Sequence, residues 1–358
     1  MGDTWFVDTL RRVWDAGDAV FPLDPRLPAP ARTAALAAMA PARVLGHDGT
    51  VALLPGARPV EEGDALVVAT SGSTGEPKGA VLTHDAIGAS ARATSARLRV
   101  DPATDRWLGC LPLAHVGGLS VVTRALVTAT PLTVLPGFDA RAVMESGCSL
   151  VSLVAATLPR IDPRRFRIVL LGGSRPPTDR PANVLATYGM TETGSGVVYD
   201  GRPLDGVEVR IDAVGEIHVR GPMLLRAYRD GTDPKDADGW FPTADLGRWR
   251  DDGRLHVEGR RAELIITGGE NVWPEVVEGA LRSHPDIADV AVAGHPDPEW
   301  GERVVAYVVP THPTAPPTLA ALRDHVKAAL PAWYAPRELI LVDRLPRTPL
   351  GKLRRGEL

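Results

Sequence analysis

The sequence predicts an α/β protein: a large N-terminal α/β domain with mixed sheets over residues 1–260, then a small α+β domain over 261–358. Three observations lead there. From Ala65 onward, short apolar runs alternate with helical stretches. After Gly259-Arg-Arg-Ala-Glu263 the pattern changes to strand, helix, two strands, helix and strand. The chain holds 36 Gly and 33 Pro in 358 residues, which suits a loop-rich α/β protein and not a helical bundle. That length can bury a sizeable core and supports two domains.

Residues 4–17 read as a short amphipathic helix, Phe21-Pro-Leu-Asp-Pro25 as an extended turn, and Ala31–Ala40 as an Ala-rich helix. Strands are expected at Ala65–Ala69, Val151–Val154, Arg167–Leu171 and Val184–Ala186. Thr83 is placed to cap a helix through Ala86–Leu98. Glu216–Val219 and Leu255–Glu258 read as antiparallel strands of a smaller subdomain. Beyond Glu263 the expected order is strand Leu264–Thr267, helix Pro274–Arg282 with Pro at its first position, strands Asp289–Ala293 and Val304–Val309, helix Thr318–Leu330 and strand Glu338–Val342. Thr311–Pro317 is a Pro-rich surface connection.

Charge and composition exclude several classes. A net charge of −4 with dispersed arginines gives no basis for a nucleic-acid or anionic-membrane partner. No apolar run approaches the roughly 20 residues of a membrane span. The N-terminus carries acids and no signal-peptide pattern, and the two cysteines, Cys110 and Cys148, lack metal spacing; both fit a reduced cytoplasmic compartment.

One loop points to chemistry. Thr70-Ser-Gly-Ser-Thr-Gly-Glu-Pro-Lys-Gly79 follows the apolar run Ala65–Ala69 and is rich in hydroxyls and glycine. Such a loop presents N–H and O–H donors to an anion, and Lys78 adds charge, which is what a polyphosphate needs. Lys78 is followed by Gly79, so the loop is not a Walker motif, and it is not a dinucleotide fingerprint. The plain alternative is a flexible Gly/Ser linker. Three of the expected strands run directly into site loops of this kind, as ligand sites of open α/β sheets require.

The loop resembles the phosphate loop of the acyl-adenylating superfamily, which includes acyl-CoA synthetases, firefly luciferase and peptide-synthetase adenylation domains. The resemblance extends in order to Leu111-Pro-Leu-Ala-His-Val-Gly-Gly118, Tyr188-Gly-Met-Thr-Glu-Thr193, Thr243-Ala-Asp-Leu-Gly247 with Gly259-Arg260, Gly268-Gly-Glu-Asn271 and Pro349-Leu-Gly-Lys352. It implies the adenylate-forming fold, ATP and Mg²⁺ as cofactors, and CoA as cosubstrate. By that resemblance Thr70, Ser71, Gly72, Ser73, Thr74, Gly75 and Lys78 hold phosphates, and Gly172, Gly173, Tyr188 and Gly189 belong to the ATP site. Thr191 donates to the α-phosphate, Glu192 holds the metal, and Asp245 with Arg260 takes the ribose. Lys352 bridges carboxylate and α-phosphate during adenylation, Ala262 is the hinge, and Gly268 and Gly269 line the thiol path.

His115 is a candidate wall of the acid pocket or a structural histidine, and Arg124 either binds a second carboxylate on the acid or lies on a helix surface. His84 and His295 read as a helix-start residue and a loop residue. Only 69 residues precede Thr70, a shortened N-terminal region for the superfamily, and the short stretch Val154–Tyr188 leaves little room for a helix after Gly172-Gly173. Val198–Val207 and Leu111–Ser120 resemble the short o-succinylbenzoate–CoA ligases of menaquinone biosynthesis in particular. The reading implied is an ATP-dependent acid–CoA ligase for that acid. The alternatives are a ligase for another small aryl or acyl acid and a module loading a separate carrier protein; a homodimer stays open.

Overall fold

The computed structural model describes residues 4–71, 77–174, 176–177, 179–347 and 353–358. The expected residues Gly72, Ser73, Thr74, Gly75 and Lys352 lie outside the described residues. The main sheet has seven strands, in the order Arg202–Pro203, Ser195–Tyr199, Val184–Met190, Ile168–Gly172, Leu150–Val154, Trp107–Gly109 and Leu132–Val134. From Val184–Met190 to Leu132–Val134 the neighbours are parallel; the two strands at the other edge are antiparallel. Parallel strands are covered on both faces, and Leu108, Val151, Leu153, Val169 and Leu171 are accordingly buried together. Each such side chain contributes about 1.5–3 kcal/mol on burial.

Helix His84–Leu98 begins where Thr83 caps it, the Thr83 hydroxyl accepting from Ala86 N at 3.1 Å. Helices Thr4–Asp15 and Ala29–Met39 occupy the expected N-terminal positions. A strand absent from the sequence reading, Pro77–Thr83, pairs antiparallel with Asp64–Ser71 and sets Lys78 opposite Thr70. A third strand, Ala227–Tyr228, pairs with Pro77–Thr83 on its other edge. Gly79 has to be glycine here: a Cβ would lie 2.4 Å from the Met39 sulfur and 2.9 Å from Arg229 Cβ. No helix forms between Gly173 and Val184 among the described residues, as the short spacing predicts.

A four-stranded sheet has the order Glu208–Ile211, Glu216–Arg220, Phe241–Trp249 and Leu255–Arg260. The two strands expected in this subdomain, at Glu216–Val219 and Leu255–Glu258, are both present, with Phe241–Trp249 between them.

The chain divides into two compact units. One comprises Met1–Arg210, His218–Pro242 and Arg250–Leu255; the other comprises Ile211–Ile217, Thr243–Trp249 and His256–Leu358. In the second unit a five-stranded sheet runs Glu270–Val272, Ile265–Thr267, Gly301–Pro310, Ile287–Asp297, with Glu338–Leu341 parallel to Gly301–Pro310. Helices Pro274–Leu281 and Leu319–Lys327 bury Val277, Leu281, Leu322 and Val326 against it. His295 lies in the strand Ile287–Asp297, contrary to the loop expectation, and hydrogen-bonds the Tyr307 hydroxyl at 2.7 Å. Its partner strand Gly301–Pro310 draws it into the sheet, because cross-strand pairing overrides a loop-like local composition.

Candidate active site

Among the described residues of the first unit, Lys78 and Glu192 lie beside the paired strands Asp64–Ser71 and Pro77–Thr83. Lys78 is exposed at the start of the second hairpin strand, and its Nζ lies 5.3 Å from the centroid of the Tyr228 ring. The Tyr228 hydroxyl donates to Glu192 Oε1 at 3.0 Å. Glu192 sits in a short 3₁₀ turn, Thr191–Thr193, which follows the strand Val184–Met190. Thr193 fixes that turn: its hydroxyl donates to Ser195 O at 2.6 Å and accepts from Met190 N at 3.0 Å. Leu225 N donates to Glu192 O at 2.7 Å, and Arg229 N to Gly79 O at 2.6 Å. The segment Leu225–Arg229 thus ties the Glu192 turn to the strand behind Lys78.

Among the described residues no cluster of three His, Cys, Asp or Glu side chains forms a metal cage. Mg²⁺ takes one or two carboxylates together with phosphate oxygens. Glu192 fits: it is half-buried, and a single one of its oxygens carries the Tyr228 bond. Gly172 ends the strand Ile168–Gly172, and Gly173 follows with φ 82°. Tyr188 is half-buried on its strand and Gly189 is exposed beside it.

His115 starts the helix Val116–Val127. Its Nε2 is buried without a hydrogen-bond partner and lies 3.6 Å from Asp24 Oδ2. Asp24, 5% exposed, is gripped by Arg26 through Nε at 2.9 Å and Nη2 at 2.6 Å. That grip holds the Asp24 carboxyl below the usual carboxylate range. Burial pushes the His115 pKa down against the pull of Asp24, so the ring is neutral at pH 7.

Arg124 corrects one alternative: it is no helix-surface arginine. It is 2% exposed, and hydrogen-bonds Ser195 Oγ through Nη2 at 3.0 Å. Its guanidinium carbon lies 4.7 Å from the Trp107 ring centroid, and its Nη1 is buried without a partner. It borders a small cavity of about 10 Å³ shared with Leu66, Leu82, Ser90, Ser120 and Thr123. The helix bearing it packs into the core on both flanks, which the local sequence does not reveal. Burial also pushes the Cys110 thiol up to about 12, and Cys148 is a second buried free thiol, so neither is a candidate nucleophile.

The second unit holds the ribose candidates. Arg260 Nε lies 2.8 Å from Asp245 Oδ1, and Arg260 Nη1 donates to Thr243 O at 3.0 Å. Ala244, between Thr243 and Asp245, has φ 58°, a left-handed value costly for a residue with a side chain. Its N–H donates to Glu216 Oε1 at 3.0 Å. Ala262 lies in the short 3₁₀ turn Arg261–Glu263. Gly268 and Gly269, at φ 60° and 82°, form the turn between the strands Ile265–Thr267 and Glu270–Val272.

Comparisons with known proteins show the family of the chain. The family model for AMP-binding enzymes covers residues 50–229, and that for the AMP-binding enzyme C-terminal domain covers 276–352. The chain belongs to the AMP-binding enzyme family. It has the adenylate-forming enzyme fold. Among curated relatives, a probable 2-succinylbenzoate–CoA ligase of Mycobacterium tuberculosis is 42% identical over 340 residues, covering 87% of this chain and 88% of the relative. An o-succinylbenzoate CoA synthetase from Bacillus subtilis, solved with an acyl-adenylate intermediate, aligns with TM-score 0.76 at 32% identity over 84% of this chain and 71% of that one. An amide bond synthetase from Marinactinospora thermotolerans aligns with TM-score 0.82 at 26% identity over 99% of this chain and 87% of that one. Within the AMP-binding family, sequence reasoning missed Tyr228, Asp24 and Glu216. Each acts on a residue far away in the chain, and no local spacing marks it.

Proposed function

We propose that this AMP-binding enzyme is an ATP-dependent ligase that joins o-succinylbenzoate to CoA through an acyl-adenylate. The observation that carries the reading is the meeting of Glu192, Tyr228 and Lys78 beside the hairpin that bears the Thr70–Gly79 loop. The acid is assigned from the likeness to 2-succinylbenzoate–CoA ligases.

In the first half-reaction an acid carboxylate oxygen attacks the α-phosphorus of ATP and pyrophosphate leaves. The barrier is largely the repulsion of an anion by a polyanion, so cations and fixed donors lower it. Thr70, Ser71, Gly72, Ser73, Thr74, Gly75 and Lys78 hold the β- and γ-phosphates. Thr191 donates to the α-phosphate, Glu192 holds Mg²⁺, and Lys352 bridges acid and α-phosphate. When bound, Mg²⁺ supplies charge neutralisation on the phosphate oxygens. Gly172, Gly173, Tyr188 and Gly189 bound the adenine, and Asp245 accepts from the ribose hydroxyls with Arg260 beside it.

In the second half-reaction the CoA sulfur attacks the acyl carbonyl and AMP leaves. Residues 261–358 act as the mobile domain, turning at Ala262 to exchange Lys352 for Gly268 and Gly269. His115 walls the acid pocket as a neutral imidazole, and Arg124 receives the acid's second carboxylate. A buried guanidinium with Nη1 unpartnered favours an anionic ligand, and a carboxylate there requires the walls of the small cavity to part. The two free buried thiols agree with a cytoplasmic setting, and no helix among the described residues is long and apolar enough to cross a membrane.

The test is pyrophosphate release across a panel of acids, with CoA, with an amine and with no acceptor. Release that depends on o-succinylbenzoate, with thioester formed only when CoA is present, is the expected result. Amide formation at a higher rate than thioester would overturn the acceptor. Release with a monocarboxylic acid at a higher kcat/KM would overturn the acid.

A further inference from the structure

We propose that Tyr228 is a positioning residue for MgATP: it holds Glu192 and Lys78 apart and keeps each oriented until nucleotide and metal arrive. The inference rests on the assignment of Lys78 to phosphate and Glu192 to Mg²⁺, and adds a residue that no motif marks.

One side chain serves both charges. The hydroxyl donates to Glu192 Oε1 at 3.0 Å and so engages one of the two carboxylate oxygens. The ring lies 5.3 Å from Lys78 Nζ, within the range at which an aromatic face attracts an ammonium. A carboxylate and an ammonium on neighbouring elements otherwise attract each other. A direct pair would satisfy both and compete with the phosphates and the metal. Among the described residues no ion pair within 4.0 Å joins Lys78 to Glu192. Tyr228 occupies the position of partner for each of them.

Its own place is fixed by backbone. Tyr228 sits opposite Ala80 in the strand pairing, Arg226 N donates to Val81 O at 2.9 Å, and Leu225 N donates to Glu192 O at 2.7 Å. The buried Arg229 next to it donates through Nε to Met39 O at 2.9 Å. The ring is therefore carried by the strand that pairs with the phosphate hairpin. Groups that orient a metal ligand typically change metal affinity by about 10–100-fold when removed.

The test uses the full chain without acid, so that it is independent of which acid is activated. Thermal shifts are measured with ATP alone and with ATP plus a Mg²⁺ titration, and Mn²⁺ binding in the presence of ATP is followed by electron paramagnetic resonance. Tyr228→Phe keeps the ring and loses the hydroxyl. Its Mg²⁺ midpoint and Mn²⁺ Kd should rise about tenfold, with the shift from ATP alone unchanged. Tyr228→Leu should lose the ATP-alone shift as well, because Lys78 then pairs with Glu192. Adding Glu192→Gln to Tyr228→Leu should restore part of that shift.

A Tyr228→Phe chain with a lowered Tm but an unchanged Mg²⁺ midpoint would overturn the proposal, since the tyrosine would then only pack. No recovery in the double variant would overturn the separation of charges. A wild-type chain that gains nothing from MgATP would overturn the nucleotide assignment and this inference with it.

Discussion

Arg261 Nη1 lies 2.9 Å from Glu216 Oε2, and the other oxygen of that buried carboxylate accepts from Ala244 N at 3.0 Å. One side chain thus joins the residue before Asp245 to the residue before Ala262. Glu216, Ala244 and Arg261 all precede Ala262, so this contact anchors the chain that leads into the turn about which φ and ψ would change between half-reactions. Ala262→Pro fixes φ and should leave adenylation or thioester formation intact alone. Glu216→Gln should change the ratio of the two half-reaction rates. A normal full cycle in Ala262→Pro would move the pivot, with Glu263, 3.7 Å from Arg355, the next residue to substitute.

Lys78→Ala and Glu192→Gln should act on MgATP. Loss of a charge-assisted contact costs about 1.5–3 kcal/mol, so Lys78→Ala should raise the KM for ATP about 10–150-fold. Glu192→Gln should raise the magnesium requirement with a smaller change in ATP response. Unchanged ATP and Mg²⁺ titrations in the pyrophosphate assay would remove both residues from the site.

Lys352 and the pair Gly268, Gly269 should divide the reaction between them. Lys352→Ala should lower acid-dependent pyrophosphate release by about 10²–10³-fold while pre-formed acyl-adenylate still becomes thioester. Gly269→Ala meets nothing within 4 Å but sits at φ 82°; Gly268→Ala sits at φ 60° and puts its Cβ 2.8 Å from Trp300. The left-handed backbone alone costs about 1–2 kcal/mol. Thioester formation should therefore fall in both, further in Gly268→Ala, with adenylation changed far less. Equal damage to both half-reactions would defeat the division.

Arg124→Met should remove the preference for a second carboxylate. The kcat/KM for o-succinylbenzoate should fall about 10–150-fold, with little change for benzoate and none in the KM for ATP. A parallel fall for both acids would show that the buried guanidinium supports the fold through Ser195 and Trp107 instead.

His115 should impose a pH dependence on stability. Its folded pKa is lowered by burial, so between the unfolded value of about 6.5 and that lower value the unfolded chain binds the proton that the folded chain refuses. Stability is then complete above pH 6.5 and declines as pH falls below it. Asp24 contributes in a separate window, below its unfolded pKa of about 3.9, because its folded pKa is lowered. Urea midpoints between pH 7.5 and 5 should decline less for His115→Gln than for the wild type. Identical slopes would mean that His115 takes its proton freely in the folded state.

The sequence by itself determined the motifs that mark the family, three central strands of the main sheet and most of the order of elements beyond Glu263. Those depend on local signals: apolar runs at Leu150–Val154 and Ile168–Gly172, the Thr83 cap, the Pro274 helix start, and the glycine turns at Gly173 and Gly268. Only the tertiary structure decided which distant side chains act on those motifs. Tyr228 reaches Glu192 because a two-residue strand pairs beside Gly79, and Asp24 reaches His115 from the N-terminal segment. Arg124 is buried because both flanks of its helix meet apolar neighbours, a property of the packed interior and of no heptad or alternation in the chain. Through-space contacts of this kind leave no periodicity in a single sequence: the partners are joined by folding, and either one alone reads as an ordinary surface residue.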